Sequence, residues 1–543
     1  MKKIFFILSA LVFTFASCIN DVENINPQQT TELDADALFN KIYATFVLTG
    51  QKGPSDNGDL INMDEGRSQY TRMIWNLNEL TTDESHWYWY KNDAGYEDLV
   101  QNTYNADNAV SQGFFYRAYF NITLCNLYLS YVEDDGTAET KARRAEVRFI
   151  RVMNYYSIMD LFGNGPFSDE FVMGQSGEYY TRVDFYNFIE KELKALETEL
   201  KAEGTNTYGR VDQMAAKLML SRLYLNAEVY TGQAQWQLAK DYAQKVINSN
   251  YYKLMTTDAT NPVTGEYYSP YQMLFLADND KTDAKYEDLF PILHNGETTQ
   301  SYGGMHALIL SCYSPNMSTV VPSGTDNNWG KCATIRGKLV DIFFGPATSS
   351  EPVINSINSA VSYANDDRAL LLNTCGEDTY KRVITTQGEQ TEGYCCVKFR
   401  NVRSDGAPTT TTNGYVDTDW PYLRIAEAYL NYAEADARMN NGVTSVDGGT
   451  MLNVLRARAH ASTIKTSYSL DELRDEWAKE FWFEGRRRMD LVRFNSFGGQ
   501  SEYKWEWMGG AANGNQFAAT RNVFGIPSAE ITNNPAIKQN AGY

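Results

Sequence analysis

Asp475-Glu-Trp-Ala-Lys-Glu-Phe-Trp-Phe-Glu-Gly-Arg-Arg-Arg-Met-Asp-Leu-Val-Arg493 mixes carboxylates, guanidinium groups and aromatic rings. Ser469-x-x-Glu472, just before this run, is a capping box, so we predict a helix that begins at Leu470 and continues through the run. Charged side chains three or four positions apart can pair along a helix and with neighbouring helices. We therefore interpret these charged residues as structural rather than catalytic: Glu480, Glu484, Arg486, Arg487, Asp490 and Arg493.

Apolar residues recur at helical spacing in both halves of the chain. One pair of helices, with small residues on the first and large ones on the second, is joined by a turn at Thr231-Gly232. This suits the helix hairpins of tetratricopeptide arrays, although an unrelated helix hairpin fits nearly as well. We predict a mostly α fold with a tetratricopeptide-like helix-pair scaffold. Besides the helix from Leu470, the predicted helices span 103–132, 137–161, 182–203, 212–230, 236–249, 422–439 and 449–460.

The periodicity weakens between residues 251 and 412, where only short strand-like runs such as Cys396-Val-Lys-Phe399 occur. We predict long loops and small strands laid over the helical scaffold, and we expect function on the loops, because structureless segments of this length are rare without one. The predicted organisation is a signal peptide, 1–17, before a single domain, 18–543. That domain divides into an N-terminal helical part, 18–250, a loop-rich ligand-binding region, 251–415, and a C-terminal helical part, 416–543.

The N-terminus has the pattern of a bacterial lipoprotein signal. Lys2-Lys3 precede an apolar stretch, 4–15, which is followed by Ala16-Ser17 and then by Cys18. Cleavage before Cys18 and acylation of its thiol would tether the mature chain to a membrane by lipid. Ordinary secretion with an incidental Cys18 is the alternative, and the position of the cysteine directly after the small pair disfavours it.

Charge and cysteine usage exclude several classes of function. The net charge of −20 disfavours nucleic acid and anionic lipid as partners. The four histidines lack metal-binding spacing, and the six cysteines after Cys18 contain no C-x-x-C, so neither a zinc site nor a dense disulfide framework is predicted. We expect most of these cysteines to be buried thiols, with Cys312 and Cys332 as one possible pair.

Four adjacent aromatic residues, Trp87 to Tyr90, lie within the polar stretch Asp83 to Tyr96. Neither a strand nor a helix can turn all four rings toward one core. Flat rings beside amide and carboxylate groups suit a ligand with apolar faces and hydroxyl edges, such as a sugar. The alternative places Trp87 and Trp89 in a core with the two tyrosines at its edge.

Further motifs accompany the 475–493 run: 145–151, Asp366-Asp-Arg368, Arg424-Ile-Ala-Glu-Ala-Tyr-Leu-Asn-Tyr-Ala-Glu-Ala435, 452–459 and 526–543. Together and in this order they resemble the SusD/RagB family of outer-membrane nutrient-binding lipoproteins. The resemblance implies a helical scaffold with a looped subdomain for the ligand. It also implies a protein that is not an enzyme, that caps a SusC-type TonB-dependent transporter and that delivers oligosaccharides to it.

Within the family, Trp75-Asn-Leu-Asn-Glu-Leu80 is most similar to the starch-binding member. That likeness implies an aromatic arc of Trp87, Tyr302 and Trp329 for starch and malto-oligosaccharides (α1,4-glucan), with Asp64, Arg72 and Asn92 as polar partners. Its rings would meet glucose faces while the polar groups meet hydroxyls. The wider spacing of Tyr302 and Trp329 departs from the starch binder, so another glycan is an alternative ligand. A glycoside hydrolase is the rival class, with Asp64, Asp83, Glu84 and Asp93 as candidate carboxylates.

No cofactor is required by this interpretation, but a structural Ca²⁺ is an open possibility. The resemblance suggests Asp280, Asp417 and Asp419 as ligands, and loop carboxylates suit this ion. Turn and cap residues are the alternative interpretation of the same three aspartates.

The lipoprotein signal yields the first prediction. Cys18→Ala removes the thiol that would be acylated, so we expect the variant to be absent from the outer-membrane fraction of cells that lack the transporter partner. Cys125→Ala, the same change within the mature chain, serves as the control and should stay membrane-bound. A Cys18→Ala protein that still fractionates with the membrane would contradict lipid anchoring.

Overall fold

A computed structural model describes residues 33–51, 53–54, 58–60, 63–174, 176–410 and 414–543. The predicted signal peptide and Cys18 lie outside the described residues. The mostly α prediction is confirmed. The helices are α1 Ala35–Ala44, α2 Tyr70–Glu79, α3 Tyr96–Gln101, α4 Ala109–Tyr131, α5 Ala138–Phe162, α6 Arg182–Glu199, α7 Gln213–Leu225, α8 Ala227–Thr231, α9 Trp236–Ile247, α10 Gly304–Cys312, α11 Pro315–Val320, α12 Gly337–Phe344, α13 Ile357–Ala364, α14 Ala426–Met439, α15 Val446–Arg458, α16 Leu470–Phe481, α17 Arg487–Arg493 and α18 Ser528–Asn533.

Short strands pair two by two among these helices, and every pair is antiparallel. The strands are β1 Ser85–Trp87, β2 Gly165–Phe167, β3 Glu178–Tyr180, β4 Ala259–Thr260, β5 Tyr267–Tyr268, β6 Asp288–Ile292, β7 Ala333–Ile335, β8 Leu371–Leu372, β9 Thr374–Cys375, β10 Asp378–Thr379, β11 Cys395–Cys396 and β12 Trp420–Arg424. The pairs β1–β7 and β6–β12 join segments that are far apart in the chain.

A continuous layer of helices forms the scaffold. Each long helix packs against the next in the order α4, α5, α6, α7, α9, α14 and α15. The step from α9 to α14 crosses the whole loop-rich region, so the N-terminal and C-terminal helical parts form one layer. Ion pairs fix this seam: Arg222 on α7 holds Glu427 through two hydrogen bonds, and Lys240 on α9 bonds Asp436 at 2.6 Å.

The predicted helix through the 475–493 run is interrupted. It ends at Phe481, and α17 begins only at Arg487, because Phe483 and Gly485 take left-handed backbone angles of φ 61° and 81°. The turn exposes backbone N–H groups to a carboxylate from α2, and Glu79 accepts from the N–H of Gly485 at 2.7 Å. The break therefore places a buried carboxylate at the start of α17, where the helix dipole favours negative charge.

A buried charge network surrounds Arg424 at the end of β12. Its guanidinium donates to Glu287 at 2.8 Å, to Glu480 at 2.9 Å and to Glu484 at 2.8 Å, and all of these side chains are shielded from solvent. Arg458 adds a second guanidinium against Glu287 and Glu480. Burial alone would raise the pKa of Glu480, but Arg458 and Arg424 lower it to about 2. The structural interpretation of the charged run thus agrees with the contacts.

The loop-rich region contains more helix than its sequence indicates. Four helices of six to nine residues, α10 to α13, lie where only loops and strands are predicted. The region is tied to the N-terminal part by β1 and β7, in which Trp87 lies opposite Ala333. The three-part division of the domain stays a prediction.

All six cysteines of the described residues are buried and carry free thiols in this structure, which does not contain the suggested Cys312–Cys332 bond. Cys312 contacts Cys396 instead, because helix α10 turns its thiol toward β11. In the part of the chain that the structure describes, no helix is both long enough and apolar enough to cross a membrane.

The Arg424 network yields the second prediction. Arg424→Met leaves three buried carboxylates without their main cation, and breaking a buried ion pair from one side typically costs about 3–5 kcal/mol. We expect a matching fall in the free energy of unfolding, measured by urea titration. Lys194→Met is the control, because Lys194 is half exposed in its pair with Glu190 and should lose less than about 1 kcal/mol. Equal losses in the two variants would contradict a special role for the network.

Candidate functional site

Strand pairing brings the two distant aromatic segments of the predicted site together. β1 ends at Trp87, opposite Ala333 of β7, and the N–H of Tyr88 donates to the carbonyl of Cys332 at 2.6 Å. Trp329 lies three residues before Cys332, so it is carried to the edge of the 83–96 stretch. Sequence reasoning expected these residues to meet, and the antiparallel pair provides the physical reason.

Arg72 on α2 is the junction of the site. Its Nη1 donates to the carbonyl of Tyr302 at 3.0 Å and its Nη2 to the hydroxyl of Tyr96 at 3.3 Å. Its guanidinium carbon lies 5.3 Å from the centre of the Trp329 ring, a cation–π arrangement. The guanidinium therefore positions both aromatic residues, although it uses only two of its five N–H donors in these hydrogen bonds and its buried Nε has no partner among the described residues.

Two glycines, Gly66 and Gly303, allow the segments that carry Asp64, Arg72 and Tyr302 to approach one another closely. A Cβ atom at Gly66 would lie 2.8 Å from Arg72 Nη1, 3.3 Å from Tyr302 Cβ and 3.4 Å from Asp64 Oδ1. A Cβ atom at Gly303, the residue after Tyr302, would meet Gln69 at 2.1 Å. Asp64, Arg72 and Tyr302 are thus brought to one place.

Of the three rings of the predicted arc, Tyr302 and Trp329 reach the surface. Tyr302 is 40% exposed and Trp329 is partly buried. His306 lies beneath both rings, with ring centres 6.4 Å from Tyr302 and 5.9 Å from Trp329, and it also contacts Tyr415 at 4.5 Å. Burial and contact with Tyr302 raise the pKa of Tyr415 to about 12.

Sequence reasoning missed His306 and Tyr415 as supports of the two exposed rings. Neither residue belongs to a recognisable motif, and only the fold brings Tyr415 next to His306. The His306 ring is held by a 3.1 Å contact from Nδ1 to the carbonyl of Gly414. Burial lowers the pKa of His306 to about 4, so the ring is neutral at pH 7 and packs as a flat, uncharged support.

Trp87 does not present its ring to solvent, which corrects the prediction of a three-ring platform. It is only 2% exposed, and its ring packs 5.0 Å from Tyr96 and 6.4 Å from Trp75. Its indole N–H donates to Asp93 at 2.7 Å. The alternative of Trp87 and Trp89 in a core with the two tyrosines at its edge is right for Trp87, which Trp75 of α2 helps to cover, but Trp89 is only half-buried and Tyr90 is buried.

The remaining polar candidates occupy different environments. Asn92 is exposed in the turn after β1, where its N–H donates to the carbonyl of Trp89 at 2.8 Å. Asp64 is exposed and caps a short 3₁₀ turn by accepting from the N–H of Arg67 at 3.1 Å. Both side chains lie at the surface, where a hydroxylated ligand could reach them.

Two of the carboxylates proposed for a hydrolase are buried in the scaffold. Asp83 holds Arg487 through two 2.9 Å hydrogen bonds, and Glu84 accepts from the N–H of Phe483 at 2.8 Å. Burial and the neighbouring Glu79 raise the pKa of Glu84 well above its usual value. A raised pKa suits a general acid, but Asp83 and Glu84 are fully covered and cannot reach a polysaccharide.

The three aspartates suggested for Ca²⁺ lie near one another without forming a complete ligand set. Asp417 accepts from the N–H of Gly296 at 2.9 Å, and Asp419 accepts from the N–H of His294 at 2.7 Å. Such contacts to backbone N–H groups are those expected of turn and cap residues. Burial raises the pKa of Asp419 to about 8, and the charges of Asp280 and Asp417 act in the same direction. Among the described residues no three His, Cys, Asp or Glu side chains are grouped as a metal site, so calcium stays a prediction.

Two family models match separate parts of this chain. Residues 373–543 match the family model described as SusD family, and residues 21–225 match one described as starch-binding associating with outer membrane. The chain belongs to the SusD family. It is 36% identical over 567 residues to the starch-binding protein SusD of Bacteroides thetaiotaomicron, covering 99% of this chain and 98% of that protein.

Solved structures share the fold at lower identity. A SusD-like protein from Bacteroides fragilis superposes with a TM-score of 0.65 at 18% identity, covering 94% of this chain and 96% of its own. The surface glycan-binding protein A of Bacteroides thetaiotaomicron, in complex with laminarihexaose, has a TM-score of 0.64 at 18% identity, with coverage of 93% and 98%. These likenesses support the predicted tetratricopeptide-like helical scaffold.

The aspartate cluster yields the third prediction. If Ca²⁺ binds there, the melting temperature of metal-stripped protein should be higher in excess calcium than in chelator, because a ligand that binds only the folded state stabilises it. Asp280→Asn should abolish this difference, whereas Asp258→Asn, on an exposed loop, should keep it. Identical melting curves of the wild type in calcium and in chelator would exclude a site at these residues.

Proposed function

We propose that this chain is a cell-surface lipoprotein that binds starch and malto-oligosaccharides and delivers them to a SusC-type TonB-dependent outer-membrane transporter. The observation that carries the proposal is the 36% identity, over nearly the full length of both chains, with a protein named for starch binding. The motifs at both ends of the chain and the candidate site all fall within that match.

The geometry of the candidate site suits a long polymer better than an enclosed small molecule. The cavity beneath Arg72 and Trp87 holds only about 10 Å³, too little for a sugar unit, so we assign contact with the ligand to the exposed edges of Tyr302 and Trp329. Rings at a surface can stack on successive sugar units, and the exposed side chains of Asp64 and Asn92 can bind hydroxyls. We place the ligand across Tyr302 and Trp329 rather than on Trp87.

Rigid support of these rings favours a ligand whose shape matches their arrangement. Arg72 and His306 hold Tyr302 and Trp329 from below, so the two rings need little ordering when a glycan binds. Preorganisation of this kind lowers the entropic cost of binding. A helical α1,4-glucan, which curves from one glucose to the next, is the ligand we propose, and cyclic α-glucans carry the same curvature preformed.

The fourth prediction concerns glucan affinity, measured by calorimetry with a cyclodextrin and with linear maltoheptaose. We expect the cyclic glucan to bind at least as tightly as the linear one. Tyr302→Ala and Trp329→Ala should each weaken binding by about 2 kcal/mol, roughly 30-fold, with little change in melting temperature. Tyr131→Ala is the control, because Tyr131 is 62% exposed at the end of α4 and should leave binding unchanged.

Trp87→Ala separates a buried role from a binding role. A core tryptophan replaced by alanine typically costs about 3–5 kcal/mol of stability, so we expect this variant to melt at a lower temperature than the other three.

Undiminished glucan binding by folded Tyr302→Ala and Trp329→Ala proteins would place the site elsewhere. If the protein prefers a straight β-linked glucan, the proposed site stands but the proposed ligand is wrong. Steady release of reducing ends from maltoheptaose would instead favour a hydrolase.

A further inference from the structure

Two buried cysteines in the loop-rich region face each other. Cys375 on β9 and Cys395 on β11 are both fully buried, and their sulfur atoms lie 3.8 Å apart. Cys395 lies opposite Leu372 of β8. Cys375 follows Leu372 by three residues, on β9, and this places it next to Cys395. The two thiols are therefore placed by strand pairing rather than by chance contact of flexible loops.

A buried cation lies beside this pair. Lys331 is 2% exposed and donates to the Thr334 hydroxyl at 2.9 Å and to the carbonyl of Gly393 at 3.0 Å, two residues before Cys395. Contact with Cys395 and the charge of Lys331 lower the pKa of Cys375, whereas burial raises that of Cys395. A thiol with a lowered pKa is the one that starts thiol–disulfide exchange.

We propose that Cys375 and Cys395 form a disulfide bond when the chain folds in an oxidising compartment. The Cys375 thiolate attacks a sulfur of an external disulfide, such as oxidised glutathione or an oxidoreductase disulfide, and one external thiolate leaves. The Cys395 thiolate then attacks the Cys375 sulfur and expels the second. Two protein thiols become one disulfide, and one external disulfide becomes two thiols.

Limited side-chain movement would complete the bond. The sulfur atoms must approach from 3.8 Å to about 2.05 Å, a change that rotation about the side-chain bonds can provide when the strands already adjoin. Because both thiols are buried in the folded chain, the exchange takes place before the segment between them closes over the pair, but once the strands have placed Lys331 beside Cys375. The bond closes a loop across 20 positions.

This loop supports one flank of the candidate site. Gln390, within it, donates to the carbonyl of Gly330 at 2.8 Å, directly after Trp329. A Cβ atom at Gly388 would lie 3.5 Å from the Tyr90 ring, so the loop also passes along the aromatic stretch. A disulfide between its ends restricts the unfolded chain and keeps this flank in place.

A second thiol contact makes the assignment specific. Cys312 contacts Cys396, and burial raises the pKa of Cys312 well above its usual value, so this thiol is a poor nucleophile. The Cys375–Cys395 pair differs because Lys331 favours the thiolate form on Cys375. A bond between Cys312 and Cys396 is therefore the competing outcome of the experiment.

Disulfide mapping tests the proposal on the full chain, isolated from the membrane fraction without reductant. After alkylation of free thiols in denaturant and digestion, mass spectrometry should find Cys375 linked to Cys395, with the remaining four of the six cysteines alkylated. The same result is expected after refolding in a buffer of oxidised and reduced glutathione, which removes any dependence on cellular location. Six alkylated cysteines in both samples, or a Cys312–Cys396 link, would overturn the assignment.

Melting curves provide a second readout. Reductant should lower the melting temperature of the wild type by a few degrees, and Cys375→Ser and Cys395→Ser should each remove this sensitivity. Cys125→Ser, on α4, is the control and should keep it. If the serine variants misfold, the mapping of the wild type still decides the question, and a wild type insensitive to reductant contradicts the proposal.

Discussion

The burial of Arg424 among Glu287, Glu480 and Glu484 constrains the whole structure. Its partners are Glu287 just before β6, Glu480 on α16 and Glu484 in the turn after α16, so the guanidinium is satisfied only when the loop-rich region and the C-terminal helices are both in place. A buried network adds little net stability over apolar packing, but an incomplete one is costly. We infer that the network contributes mainly to the specificity of the native arrangement, because partly folded states cannot pair all of its charges.

A second buried ion pair transmits this constraint to the candidate site. Asp83, just before β1, holds Arg487 at the start of α17, so the strand that ends in Trp87 is fixed to the C-terminal helices. The same strand pairs with β7 and thereby sets the position of Trp329. The exposed rings lie on loops, yet the elements behind them are rigid, which is the arrangement that precise binding requires.

The sequence predicted the long helices well because their apolar periodicity extends over many turns. It did not predict α10, which is buried on every side and therefore has no alternation of apolar and polar faces, nor the break at Phe483, because the charge pattern continues through it. The burial of Trp87 follows from contacts with Tyr96 and α2 that adjacent residues do not indicate. The support of the rings by His306 likewise depends on chain segments that meet only in the fold.

The adjacency of α9 and α14 in the helical layer has a consequence for biosynthesis. About 180 residues separate the end of α9 from the start of α14, so the part of α9 that packs against α14, unlike the part that packs against α7, has no partner until that length of chain has been made. At typical elongation rates of about 5–20 residues per second, the delay is roughly 10–40 s. During this interval the nascent polypeptide exposes an apolar surface. We therefore expect its yield to depend on chaperones that prevent aggregation as well as on the stability of the final fold.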